Sequence, residues 1–312
     1  MKKLLLGLIL LLGGFAATLY LCPAALLATT QLVALQQAEL GSERLTVGDL
    51  SIHYYQGGPS DGETILMVHG FGASKDNWLR LARHFTQDYR VIALDLPGFG
   101  DSSKPYASYD VGTQVERLAT FTQALQIKKL HLIGSSMGGH ISALYAARYP
   151  EQILSLALLA NAGIDSPQKS ELIERLERGE ANPLIVKTAQ QFEQLLALIF
   201  VEVPSMPERL RQALAQRSIA NSAHNERVFA QLVSRYIPLE PVLPKIQAPT
   251  LLLWGAQDRV LHVSSIEVMQ PLLQRPSVVI MQDCGHAPML ERPEETAEHY
   301  QAFLDNVAAE AE

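Results

Sequence analysis

A strand, a glycine-lined corner and a helix are written into residues 130–148, and few folds accommodate that order. Leu130-His131-Leu132-Ile133 is an apolar run ending at Gly134, and a helix-compatible segment covers residues 140–148. Gly134-Ser135-Ser136-Met137-Gly138-Gly139 lies between them. Ser136 falls at the tip of the corner. Gly134 and Gly138 let the backbone reverse where side chains would clash, and the serine hydroxyl is pushed into the open. A hydroxyl held on such a Gly-x-Ser-x-Gly corner is a candidate nucleophile, and the N–H of Met137 is a candidate oxyanion donor.

The flanking sequence repeats the same rhythm. Thr64-Ile65-Leu66-Met67-Val68 is a continuous apolar run of the kind buried on both faces of a sheet. Residues 90–94 read as a second buried strand and 153–159 as another apolar run, and the strand rhythm resumes at 249–255 and 277–281. Helical spacing covers residues 77–85 and 111–125. Upstream, residues 44–47 and 50–55 alternate polar and apolar around Gly48-Asp49, which predicts a hairpin. Buried strands alternating with helices imply an α/β fold, a mostly parallel sheet with helices on both faces. The rhythm breaks over residues 165–236, which are rich in Leu, Ala, Gln, Glu and Arg at helical spacing and are interrupted at Pro183, Pro204 and Pro207. A helical insertion between two sheet strands reads as a cap. The expected division is residues 1–40 as anchor or signal and stalk, 41–163 and 241–312 as the two parts of the core, and 164–240 as a helical cap or lid.

Composition narrows the partners. The 312 residues are 48% hydrophobic, ample for a core, and carry a net charge of −7. Phosphate backbones need clustered Lys and Arg, so nucleic acid is excluded as partner. A neutral or apolar small molecule fits better. Two cysteines, Cys22 and Cys284, cannot build a disulfide framework. Lys2 and Lys3 precede an almost wholly apolar stretch over residues 4–21. About 18 to 20 such residues match the hydrocarbon core of a bilayer, which favours an uncleaved transmembrane anchor over a cleaved secretory signal. The leading lysines favour a cytoplasmic N-terminus and, in a bacterium, a catalytic domain on the periplasmic, extracytoplasmic side. Residues 24–38 read either as a stalk along the membrane surface or as a linker helix packed on the domain.

Five motifs in order resemble the α/β-hydrolase superfamily over residues 45–304: His69-Gly70-Phe71-Gly72, Asp95-Leu96-Pro97-Gly98-Phe99-Gly100, the segment from Gly134 to Gly139, Trp254-Gly255-Ala256-Gln257-Asp258, and Cys284-Gly285-His286. The likeness is closest to bacterial lipases and carboxylesterases with a Ser-Met-Gly-Gly corner and to membrane-anchored monoacylglycerol lipases. Serine needs a base, and the base needs a carboxylate to hold its tautomer. The superfamily order of Ser, acid, His implies Ser136, Asp258 and His286. His262 is the rival base and Asp165 the fallback acid, whereas Asp283 is too close in sequence to His286. The N–H groups of Phe71 and Met137 are the expected oxyanion hole, with His69 propping the loop. Asp95 to Gly98 stabilise a turn below the site. No metal or cofactor is implied, since no Cys/His cluster or phosphate-type glycine loop is present.

Apolar cap residues, Leu196, Ile199 and Phe200 among them, are candidates for binding an acyl chain. The implied activity is ester hydrolysis on acylglycerols, with monoacylglycerols or short-to-medium acyl esters preferred. A serine-dependent carbon–carbon hydrolase of aromatic catabolism, an acyltransferase or haloperoxidase-like enzyme, and a non-catalytic ligand-binding protein use the same parts. Epoxide hydrolases and haloalkane dehalogenases place a carboxylate where this chain has Ser136.

Overall fold

A computed structural model of the chain describes residues 22–311. The expected anchor over residues 4–21 lies outside the described residues. Within them, no helix is long and apolar enough to cross a membrane.

The hairpin, the corner and the apolar runs assemble one eight-stranded sheet. Its strands are β1 (Leu40–Val47), β2 (Leu50–Gly57), β3 (Thr64–Val68), β4 (Arg90–Leu94), β5 (Leu130–Ser135), β6 (Ile153–Leu159), β7 (Thr250–Gly255) and β8 (Pro276–Met281). Their order across the sheet is β1-β2-β4-β3-β5-β6-β7-β8. β2 is antiparallel to β1 and to β4, and every pairing from β4 through β8 is parallel. Successive residues of the central strands enter opposite layers, because strand side chains alternate faces. Leu66, Val68, Ile92 and Leu94 join one apolar cluster, while Ile65, Met67, Val91 and Ala93 join the other. That double burial is why these strands read as unbroken apolar runs.

Helices cover both faces. The first cluster takes Val115, Leu118 and Phe121 from α2 (Val111–Ala124) and Ile141 and Leu144 from α3 (Met137–Arg148). The second takes Tyr300, Phe303 and Leu304 from the C-terminal helix Pro293–Ala311, with Trp78 and Leu81. Residues 77–85, expected as one helix, divide into a 3-10 turn at Lys75–Trp78, a short helix at Leu79–Ala82 and turns beyond it.

Asp110 starts α2: its carboxylate accepts from the N–H of Thr113 at 2.9 Å. It also accepts from the hydroxyls of Ser108 and Thr113. Burial opposes its ionisation, but these donors win and hold its pKa down at about 2. A folded-state value below the unfolded one gives stability that is present above the usual carboxylate range and is lost as pH falls through about 2. Asp110→Ala is expected to lower the unfolding free energy near pH 7 by about 1 kcal/mol, as loss of a helix N-cap does. Urea melts at pH 7 and pH 2 check this; a difference between wild type and variant that did not shrink at the lower pH would refute it.

Upstream of the sheet, Pro23–Gln37 is a helix, α1, whose Leu35 is buried with the second cluster. The Gln31 amide and the Tyr55 hydroxyl both donate to Asp76 Oδ1, while Arg217 pairs with Asp76 Oδ2. Of the two readings of residues 24–38, the described structure has the helix packed on the domain.

Between β6 and β7 stand four α-helices, a 3-10 turn at Leu243–Lys245 and no strand; the α-helices are α4 (Glu171–Glu177), α5 (Ala189–Ile199), α6 (Glu208–Ala220) and α7 (Ser222–Ser234). They occupy the stretch where the sheet rhythm is interrupted.

Candidate active site

Ser136 follows β5 and precedes α3, at the carboxyl edge of the sheet. Its backbone sits at φ 56°, ψ −121°, a left-handed conformation that non-glycine residues seldom adopt. Three backbone bonds hold it there: its N–H donates to Leu159 O, and its carbonyl accepts from His140 and Ala162. The corner closes only because Gly138 has no side chain. A Cβ there would stand 2.2 Å from Val68 O and 2.4 Å from His69 O.

Asp258 follows β7 and His286 follows β8, so both reach the edge that carries Ser136. The Nδ1 of His286 lies 2.8 Å from Asp258 Oδ2, and the aspartate side chain is fully buried. Oδ1 of Asp258 accepts from the N–H groups of Val260 and Leu261 at 2.8 and 2.9 Å. The carboxylate is thus fixed from one side and holds the imidazole with the other. With Nδ1 engaged in this way, Nε2 is the ring nitrogen turned away from the carboxylate. The rival base, His262, bonds instead to Ser264. Asp165 is exposed, and Asp283 accepts from the Gln257 amide. Cys284, two residues before His286, is buried, and burial pushes its thiol up to about 12, so it stays protonated.

On the other side of Ser136 lies the loop after β3. Gly70 approaches so closely that a Cβ would be 3.1 Å from Ser136 Cβ. The N–H of Ala73 donates to Gly70 O across a turn, with Gly72 at φ 68°. Phe71 occupies a position in that turn whose N–H the turn itself does not use. Met137 is the first residue of α3, where an N–H has no intrahelical partner.

His69 braces the loop from below: its Nδ1 donates to Gly70 O at 2.8 Å and its Nε2 accepts from the N–H of Leu96 at 3.0 Å. Burial lowers its pKa, so the ring is neutral, as this donor-and-acceptor pattern requires. The Phe71 ring meets Phe99 and, from helix α7, Phe229, edge to face at 6.1 and 5.6 Å.

Beneath the loop, Asp95 takes the Lys75 N–H and the Asp101 N–H, and its Oδ2 lies 2.7 Å from Lys75 Nζ. Lys75 is buried, reaches Asp101 as well, and lies 4.9 Å from the centre of the Tyr55 ring. Burial alone would lower its pKa; Asp95 and Asp101 outweigh that and raise it. Asp95 therefore anchors a buried ion pair as well as a turn. Sequence reasoning missed Lys75, since Ser74-Lys75-Asp76 reads as a solvated polar stretch. Phe229 was missed too; an aromatic at helical spacing carries no mark of its partner.

Leu196 and Phe200 are buried in the cluster shared with Ala287 and Met289. Ile199 is half-buried, and its carbonyl accepts the N–H of His286 at 2.7 Å.

A mostly parallel sheet carrying a serine on a left-handed corner and a histidine–aspartate pair on the same edge defines a hydrolase class of fold. A family model described as the alpha/beta hydrolase fold matches residues 63–293, and the chain belongs to that family. It is 34% identical over 275 residues to Lipase 1 of Psychrobacter immobilis, covering 87% of this chain and 86% of that protein. It is 32% identical over 265 residues to monoacylglycerol lipase ABHD6 of Mus musculus, covering 81% of this chain and 79% of that one. Among solved structures it is similar to a membrane phospholipase A described as a bacterial virulence factor, at 61% identity and TM-score 0.91 over 99% of both chains.

Proposed function

We propose that this chain is a carboxylic ester hydrolase acting on acylglycerols through Ser136, His286 and Asp258. The observation that carries the reading is the 2.8 Å bond between His286 Nδ1 and a buried carboxylate already fixed by two N–H groups. In this reading Ser136 Oγ attacks the ester carbonyl while His286 Nε2 takes its proton. The N–H groups of Phe71 and Met137 receive the developing oxyanion, each worth about 3 kcal/mol of barrier. His286 then protonates the departing alcohol, and a water activated by the same ring hydrolyses the acyl-enzyme. Asp258 holds the ring through Nδ1–H and stabilises the imidazolium.

Residues 164–240 act as the lid, and Leu196, Ile199 and Phe200 are the candidates for contact with the acyl chain. Residues 4–21 anchor the enzyme with its catalytic domain on the extracytoplasmic face. Monoacylglycerols are favoured by the likeness to lipases and monoacylglycerol lipases. A second reading, acyl esters of glycerophospholipids, is favoured by the 61% identity to a phospholipase A.

The test is a panel of p-nitrophenyl esters, monoacylglycerols and phospholipid vesicles, run beside a fluorophosphonate probe. Covalent labelling with turnover of at least one ester is expected. The relative rates on monoacylglycerol and phospholipid choose between the two substrates. Neither labelling nor turnover would overturn the ester-hydrolase reading and favour a ligand-binding protein. Carbonate extraction of membranes tests the anchor, which full release would refute.

A further inference from the structure

One carboxylate ties the loop of His286 to the end of cap helix α5. Glu291 closes the short helix Pro288–Glu291. Its Oε1 accepts from the N–H groups of Val201 and Glu202 at 2.9 and 2.7 Å, and its Oε2 accepts from the N–H of Gly285 at 2.8 Å. Alongside, the N–H of His286 donates to Ile199 O. Gly285 runs so near this chain segment that a Cβ would lie 2.3 Å from the Ile199 carbonyl oxygen. The residues that leave α5 and the residues that lead into the imidazole therefore share one hydrogen-bonded unit, with a single side chain at its centre.

We propose that Glu291 is a positioning residue: by locking the His286 loop to the end of α5, it sets where the imidazole stands and makes that position depend on the cap. The inference rests on His286 being the base of the proposed reaction. Bonds from N–H groups to a carboxylate are short and stronger than neutral ones, which suits a part that must hold a loop still. The side chain borders an open surface cavity of about 510 Å³, lined also by Arg80 and Arg292. Its replacement leaves no sealed void.

Glutamine is the informative substitute. Its amide presents one oxygen and one NH₂, and the NH₂ cannot accept from an N–H. Whichever way it turns, either the cap side or the Gly285 side of the clamp is lost. A second variant, Val201→Pro, removes a donor from the cap side and leaves Glu291 in place.

With p-nitrophenyl esters, Glu291→Gln is expected to lower kcat about tenfold with KM within about twofold, the pattern of a misplaced catalytic group. The low-field proton signal of His286 Nδ1–H should broaden or shift in the same variant. Val201→Pro should lower kcat in the same direction by about threefold, since one of the charge-assisted bonds remains to each neighbour. If both folded variants keep kcat and the proton signal of the wild type, the clamp has no positioning role. Should Glu291→Gln fail to fold, Val201→Pro decides alone. Fluorophosphonate labelling of the wild type separates the two levels: no labelling removes the proposed reaction itself, whereas normal labelling with unchanged variants removes only the role of Glu291.

Discussion

Replacing Ser136 by alanine is expected to leave a folded protein whose ester hydrolysis falls by about 10⁴-fold or more and whose fluorophosphonate labelling disappears. The fold survives because the bonds that hold residue 136 in place, to Leu159 O and from His140 and Ala162, use its backbone and not its hydroxyl. Activity does not survive, because the only atom removed is the one proposed to attack. A residue of catalysis from the oxyanion donors and binding alone is expected, as when a triad member is deleted elsewhere. Thermal melts and p-nitrophenyl ester rates on the same samples check both halves. A variant that melts like the wild type yet retains more than about a tenth of its rate would mean that the nucleophile lies elsewhere.

The largest effect on stability is expected at Lys75. Lys75→Met removes the ammonium from a carboxylate, Asp95, that is itself fully buried. Breaking a buried pair by deleting one partner costs about 3–5 kcal/mol, because a charge is left uncompensated. Against a typical unfolding free energy of about 5–15 kcal/mol, that is a large share. Adding Asp95→Asn should restore part of the loss, because the amide drops the charge while its one oxygen keeps an acceptor for one of the two N–H groups, of Lys75 and Asp101, that reach different oxygens of Asp95. Urea unfolding of the wild type, the single variant and the double variant measures this. A single variant within about 1 kcal/mol of the wild type would mean that the pair does not carry the load its burial implies.

The strands could be read from the chain because the central sheet is buried on both faces, and apolar runs such as Thr64–Val68 and Ile153–Leu159 have no other cheap use. Helix ends were harder. α3 begins at Met137, three residues before the expected start, because the corner lets the helix begin directly after Ser136. The expected helix over residues 77–85 divides instead into a 3-10 turn ending at Trp78, a short helix at Leu79–Ala82 and turns beyond it.

At the site, the positions of Ser136, Asp258 and His286 at one sheet edge follow from strand order, since each stands just beyond a parallel strand. Lys75 and Glu291 left no such trace. A lysine between a serine and an aspartate, or a glutamate beside an arginine, reads as solvated surface. What buries or engages them lies elsewhere in the sequence: Asp95 for the one, Val201 and Glu202 for the other.

The backbone at Ser136 carries one more implication. A side chain held at φ 56°, ψ −121° costs on the order of 1–3 kcal/mol, and glycine would relieve most of it. Left to thermodynamic preference alone, position 136 would drift toward glycine, and the chain would become sturdier while losing the hydroxyl proposed to attack. A library of this protein ranked by heat tolerance or expression would therefore enrich for sequences that have discarded the hydroxyl. Any effort to harden the enzyme has to hold this position fixed and seek its gains elsewhere.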